Sequence, residues 1–215
     1  HSELEDFALV VTQDQTNGRG RQGRSWLARP GEALALSFLV PLHHPSAFSW
    51  LPLVAGASLV RSLHRLEATQ AYLKWPNDVL VDSLKLAGIL CEVVKDDRVI
   101  VGVGLNIAFR SQNPPSAGAT SLETVLPSGS HALDALVSSF ISSLKNWASL
   151  SNEHVVAQSR ALVVPVMATL NQRVKVVELG GESWVGVAED LDESGHLLVR
   201  EEGARSLRTV IASDI

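Results

Sequence analysis

The sequence is poor in the residues that usually announce special chemistry. One cysteine in 215 residues rules out an intrachain disulfide and suits a reducing cytoplasm. That cysteine, Cys91, lies in Gly88-Ile89-Leu90-Cys91-Glu92-Val93-Val94, which reads as a buried strand position rather than a nucleophile. The seven histidines show no zinc spacing, and His43-His44 before Pro45 reads as loop surface. There is a single tyrosine, and aromatics make up 5% of the chain, so a module that stacks RNA bases is short of its main tool. Basic residues are also scarce. Eighteen Lys and Arg against 23 Asp and Glu leave a net charge of −5, which argues against broad nucleic-acid binding. No apolar run is long enough to cross a bilayer, no stretch reads as a signal peptide, and no internal repeat is found. The chain begins at His1 without a methionine, which suggests trimming or missing upstream residues.

What is present is an ordinary globular composition, 46% hydrophobic and 19% charged, with length for one or two domains. One stretch departs from it. Thr12 to Ser25 has no apolar side chain and alternates Gly18, Gly20 and Gly23 with Arg19, Arg21 and Arg24. Glycine lets a backbone approach a ligand closely, and arginine offers a planar fork of donors for carboxylate or phosphate. The stretch therefore reads as a basic clamp for a small anion, although a solvated linker has the same composition. Gly18 to Gly23 also matches a dinucleotide fingerprint, but the next residues (Ser-Trp-Leu-Ala-Arg-Pro-Gly) cannot open the helix which that motif needs.

The rest reads as strands and helices around this clamp. Phe7 to Val11 and Ala33 to Val40 read as buried strands, and Trp26 is either an apolar anchor or a lid. Ser46 to Leu66 reads as a helix starting near Trp50 or Leu51, with Ser46 a plausible cap. A strand ends at Trp75 because Pro76 removes a donor, and Asn77-Asp78 is turn chemistry. Val79 to Val81, Leu84 to Val94 and Val99 to Ile107 follow as strands, with turns at Asp82-Ser83 and Asp96-Asp97. Lys85 between Leu84 and Leu86 either faces solvent or projects into a site. Gly102 and Gly104 on one strand face mark close approach by a backbone or a ligand; Asn106 on that face either reads the ligand or caps the strand. Arg110 to Gly118 is a loop, His131 to Leu150 an amphipathic helix, and Asn152 to Leu162 another. From Leu170 short strands between glycine turns read as a small SH3-like barrel.

Three motifs together resemble biotin protein ligase: Gln15-Thr16-Asn17-Gly18-Arg19-Gly20-Arg21-Gln22-Gly23-Arg24, then Lys74-Trp75-Pro76-Asn77-Asp78 with Lys85-Leu86-Ala87-Gly88-Ile89-Leu90, then Gly102-Val103-Gly104-Leu105-Asn106. The resemblance covers nearly the whole chain. It implies an α/β catalytic domain of class II synthetase-like type over residues 1–168, with a mixed sheet and flanking helices, and an SH3-like β-barrel over residues 169–215. The family's upstream Ser-Thr-Asn segment and the winged helix of its repressor members are not found, which suggests a non-repressor form that binds no DNA.

The resemblance also implies a reaction in two steps. Biotin is activated by ATP to biotinyl-5′-AMP, and biotin then passes to one lysine of a biotin carboxyl carrier domain. Lys85, Arg19 and Arg21 are implied as catalytic residues, and Gln15, Arg19, Gly20, Arg21, Lys85 and Gly88 as the biotin site. Arg21, Arg24, Trp26, Asn77, Asp78, Lys85 and Asn106 are implied at the nucleotide, with Asp78 a contact for Mg²⁺. A lipoate ligase shares the chemistry, but the Lys-Trp-Pro-Asn-Asp stretch speaks against it. A non-catalytic RNA-binding module is the other rival.

Overall fold

The alternation from Val99 to Leu105 sets the architecture. In the computed structural model, which describes residues 5–42, 47–95, 97–109, 118–126, 130–178, 180–211 and 213–215, Val99, Val101, Val103 and Leu105 are buried on one face. Ile100, Gly102 and Gly104 occupy the other face. A face of valine and leucine must be covered, and helices cover it. The elements run β1 (Leu9–Thr12), β2 (Gly18–Arg19), β3 (Ser25–Trp26), β4 (Ala33–Pro41), α1 (Leu51–Arg65), β5 (Ala71–Lys74), β6 (Asp78–Val81), β7 (Leu84–Lys95) and β8 (Arg98–Asn106). Then come α2 (Leu122–Val125), α3 (Ser130–Ala148), α4 (Asn152–Val163), β9 (Arg173–Val177), β10 (Ser183–Leu191), β11 (Leu197–Glu201) and β12 (Leu207–Val210).

Six strands form one sheet in the order β1-β4-β8-β7-β6-β5. Every neighbouring pair is antiparallel; the sheet is mixed only through single parallel bridges, Leu73 with Met167 and Lys85 with Ala119. Helix α1 packs on β5, β6, β7 and β8, and α3 packs against α1 and on β4. It starts where the sequence places it, with Pro52 in its first turn, and buries residues almost all the way round. Its small residues let α3 come close. Ser62 Oγ donates to Ser58 O and lies 3.0 Å from Ser139 Oγ, whose hydroxyl can donate to it, and Ser143 Oγ donates to Ser58 Oγ, so no buried side-chain N or O among the described residues lacks a partner.

One expectation fails. The stretch from Phe7 to Val11 is not a buried strand: β1 is an edge strand with Val10 61% exposed. It has a neighbour on one side only, so its apolar residues cannot all be covered. Phe7 alone turns inward, its ring 5.8 Å from that of Phe38. Ser46, the His43-His44 pair, Asp96 and most of the 110–118 loop lie outside the described residues.

The second sheet runs β12-β11-β10-β9. A bridge between Val177 and Asp214 brings the segment after β12 back to β9, which rolls the sheet into a small barrel. Its β10–β11 turn docks on the first domain. Trp50 Nε1 donates to Glu193 O at 2.8 Å and Trp75 Nε1 to Gly195 O at 3.3 Å. Gly195 holds φ of +76°, and a Cβ there would lie 3.1 Å from Trp50, so a larger residue would strain the turn and push the indole.

The barrel surface carries matched charges. Arg200 grips both oxygens of Glu189, at 2.6 and 2.9 Å, which holds the Glu189 carboxyl below its ordinary value of 4.5. Glu178 is held low by hydrogen bonds from Trp184 and then Ser213. A lowered folded pKa stabilises the fold above the unfolded value and ceases to do so as pH falls through the folded value. The barrel is therefore expected to lose stability as pH drops below 4.5. Urea midpoints measured from pH 7 to pH 3 should show a shallower acid decline in Glu189→Gln than in the parent; identical declines would show that Glu189 does not contribute.

Candidate active site

The face of the large sheet away from α1 is the floor of a cavity. Register puts Ala35 and Gly88 on either side of Gly104 there, and Ser37 and Leu90 on either side of Gly102. By strict alternation Lys85 would face away from Gly88, since the two are three positions apart. A bulge reverses this. Val79 pairs with Ala87 but Leu80 with Lys85, so Leu86 is an extra residue. Leu86 and Ala87 are both buried, and Lys85 returns to the cavity face. Its backbone is pinned there: Lys85 N–H donates to Gly118 O, and Lys85 O accepts from Thr120 N–H and Asn106 Nδ2. Its ammonium lies 2.7 Å from Asp78 Oδ1 and 5.7 Å from the Trp26 ring centroid.

The glycine–arginine stretch arches over this floor. β2 and β3 pair as a minimal hairpin, Gly18 opposite Trp26, around a tight turn at Arg21–Gly23. Trp26 is the anchor. It sits directly on Gly104, where a Cβ would lie 2.5 Å from the ring. The glycines of β8 thus admit an aromatic roof as well as exposing the floor. Each arginine is bound to a different element: Arg19 to Glu92 on β7 at 3.2 Å, Arg21 to Asn77 Oδ1 at 3.2 Å, and Arg24 to Asp214 at 2.9 Å. Asn77 is itself fixed, donating from Nδ2 to Ile89 O at 2.8 Å. Arg21 makes no ion pair within 4.0 Å among the described residues, and burial pulls its pKa down, opposed first by the charge of Asp214. A half-buried cation with a neutral partner favours an anion from outside.

The space enclosed is about 490 Å³. Gln15, Arg19, Gly20, Arg21, Arg24, Trp26, Asn77, Asp78, Lys85 and Gly88 all line it. Asn106 does not: it is 3% exposed, and its Nδ2 is spent on the carbonyls of Lys85 and Thr120. It holds the strand end, and through it the backbone of Lys85. Two carboxylates of the lining were not foreseen. Glu92 falls on the cavity face by simple alternation from Gly88 and was legible; Asp214 reaches Arg24 across 190 residues of sequence and was not. Cys91 is half-buried on β7, with its thiol pushed well up by burial, so it is no nucleophile. No group of three or more His, Cys, Asp or Glu side chains able to hold a metal occurs among the described residues.

Comparison with known proteins matches this geometry to a family. Residues 1–106 match the model of the Biotin/lipoate A/B protein ligase family, and residues 169–215 match that of the Biotin protein ligase C terminal domain. The chain is 34% identical to a biotin–[acetyl-CoA-carboxylase] ligase of Mycobacterium tuberculosis, covering 97% of this chain and 77% of that protein. It is 29% identical to a bifunctional ligase/repressor of Escherichia coli, covering 94% of this chain and 64% of that one. Among solved structures, a biotin protein ligase from Aquifex aeolicus in complex with biotin and ATP superposes with a TM-score of 0.77 at 27% identity, over 99% of this chain and 90% of the other.

The contact between Trp26 and Gly104 gives a direct test. In Gly104→Ala the new methyl would meet a rigid ring backed by the hairpin, so Trp26 and β2–β3 must lift. Gly102→Ala meets only Leu90, its O at 3.3 Å and its Cβ at 4.0 Å, and should be better tolerated. Amide hydrogen exchange across Gly18 to Trp26 should quicken several-fold in the first variant and change little in the second. Equal exchange in both would mean that Trp26 is not the hairpin's anchor.

Proposed function

Since the chain belongs to the biotin protein ligase family, we propose that this cavity activates biotin with ATP and passes it to a lysine of a biotin carboxyl carrier domain, as part of a biotin-dependent carboxylase. The chain is an AMP-forming ligase: a biotin carboxylate oxygen bonds to the α-phosphorus and pyrophosphate leaves. The acceptor amine then attacks the acyl carbon of biotinyl-5′-AMP and AMP leaves. The observation that carries the site assignment is Arg21, a desolvated cation beside Asn77 in a cavity that also holds Lys85.

Two anions must meet in the first step, and their repulsion is the barrier that fixed cations lower. Arg21 would take the biotin carboxylate. Lys85, swinging from Asp78, would bridge carboxylate and α-phosphate. Arg19 and Arg24 would exchange Glu92 and Asp214 for oxygens of the β- and γ-phosphates, and would return to them once pyrophosphate leaves. Gln15 would bond the biotin head group, with Gly20 and Gly88 leaving it room, and Trp26 would pack on adenine. Asn77 would contact the nucleotide while steadying Arg21. Asn106 would act through the backbone of Lys85. Magnesium would enter with the nucleotide, which screens phosphate charge. One carboxylate beside phosphate oxygens is a common magnesium setting, so Asp78 fits as its protein contact. The division of labour falls at residues 1–168 for chemistry and 169–215 for the docked barrel. The single cysteine favours a reducing cytoplasm, and among the described residues no helix is long and apolar enough to cross a membrane.

Pyrophosphate release from ATP should require biotin and be absent with lipoate; release with lipoate alone would sink this substrate assignment. Lys85→Ala should cut adenylate formation by roughly 100- to 1,000-fold, the effect of losing one well-placed donor. Its melting temperature should hold, because a half-exposed ion pair contributes little to stability. Adenylate forming at the parent rate would remove Lys85 from the chemistry.

A further inference from the structure

Asp214 is an anomaly in a cavity suited to anions. It belongs to the barrel, yet it lines the cavity and faces the arginine loop. Its backbone is fixed from the barrel side: Val177 N–H donates to Asp214 O at 2.9 Å, and Asp214 N–H donates to Val177 O at 3.2 Å. Its Oδ1 accepts from Arg24 Nη2 at 2.9 Å. Arg24 is in turn knotted into the tip of the loop. Its Nε and its N–H both donate to Arg21 O, and its carbonyl accepts from Gly20 N–H at 2.7 Å. Holding Arg24 therefore holds the turn that carries Arg21. The other tethers of the loop, Glu92 and Asn77, sit on the sheet beneath it. Asp214 alone among these three ties the loop to the barrel.

We propose that Asp214 is a positioning residue: a clasp by which the barrel holds the arginine loop closed over the cavity and slows escape of the adenylate intermediate. The clasp rests on the ligase reading for its ligand, but closure itself can be observed without any ligand. The pair is half-exposed, so it is a light fastening that yields to salt and to competing phosphate. The barrel thereby takes part in holding a reactive intermediate without touching a reacting atom.

The test is Asp214→Asn in the full chain, which keeps the side chain's size and its backbone bridge to Val177 while removing the charge. Without ligand, amide exchange across Gly18 to Arg24 should quicken about two- to fivefold, the size of effect an exposed ion pair carries. Added sodium chloride should quicken exchange more in the parent protein than in the variant, which keeps only the Arg19–Glu92 pair of the loop for salt to screen. With preformed biotinyl-5′-AMP, dissociation should quicken by a similar factor. Unchanged loop exchange would overturn the clasp. So would slower dissociation from the variant, which would show that the carboxylate opposes the ligand. Faster exchange in β9 as well would assign Asp214 to barrel integrity instead. If the parent protein forms no adenylate at all, the ligase reading fails while the ligand-free measurement still judges the clasp.

Discussion

The site depends on one inserted residue. A regular β7 would alternate strictly, and the lysine three places before Gly88 would point into the helices, where an unpaired ammonium is untenable. The bulge at Leu86 gives that position to a buried leucine and delivers Lys85 to the open face. The ladder is interrupted at the bulge, and the backbone of Lys85 is instead hydrogen-bonded to Gly118, Thr120 and Asn106. The cavity therefore owes its lysine to backbone geometry as much as to residue choice.

The charges follow a second constraint. An unliganded site rich in arginine and lysine would repel itself, and the structure matches Lys85, Arg19 and Arg24 with one carboxylate each, taken from separate elements. Arg21 is left with an amide. A matched cation would have to give up a partner to take an anion, whereas Arg21 would not, so the pairing leaves Arg21 the readiest of the four. Those exposed pairs are weak individually. Apolar burial dominates the stability, since each fully buried leucine of the α1–sheet core contributes about 1.5–3 kcal/mol. The surface charges are thereby free to serve binding.

Much of this was legible in the sequence. The alternation of valine and glycine on β8 and the helical period of α1 and α3 reported the layers, because periodicity is a local property. The motif residues reported the cavity, with Asn106 the exception: its amide serves backbone carbonyls that belong to distant segments. What escaped depends on neighbours that a linear reading does not see. Phe7 to Val11 has the pattern of a core strand and becomes an edge strand only through its place in the sheet order. The bulge leaves a trace, two adjacent buried residues at Leu86 and Ala87, but that trace is visible only once burial is known. Asp214 has no local signature at all.

The docking of the barrel turn bears on how the molecule is made. Trp75 N–H donates to Thr169 Oγ1, 94 residues further on, and its indole N–H donates to Gly195 O, 120 residues on. Trp75 is 2% exposed, so water cannot stand in for those partners in the finished structure. During synthesis, however, the segment from Lys74 to Asp78 exists long before either partner has been translated. The β5–β8 part of the sheet, Asn77 and Asp78 included, can form its ladder early from contacts close in sequence, but Trp75 must wait for Thr169 and Gly195. The barrel turn, made last, therefore completes the setting of Trp75, and a chain without it would leave that buried indole N–H, next to the Asn77–Asp78 turn, without its partner.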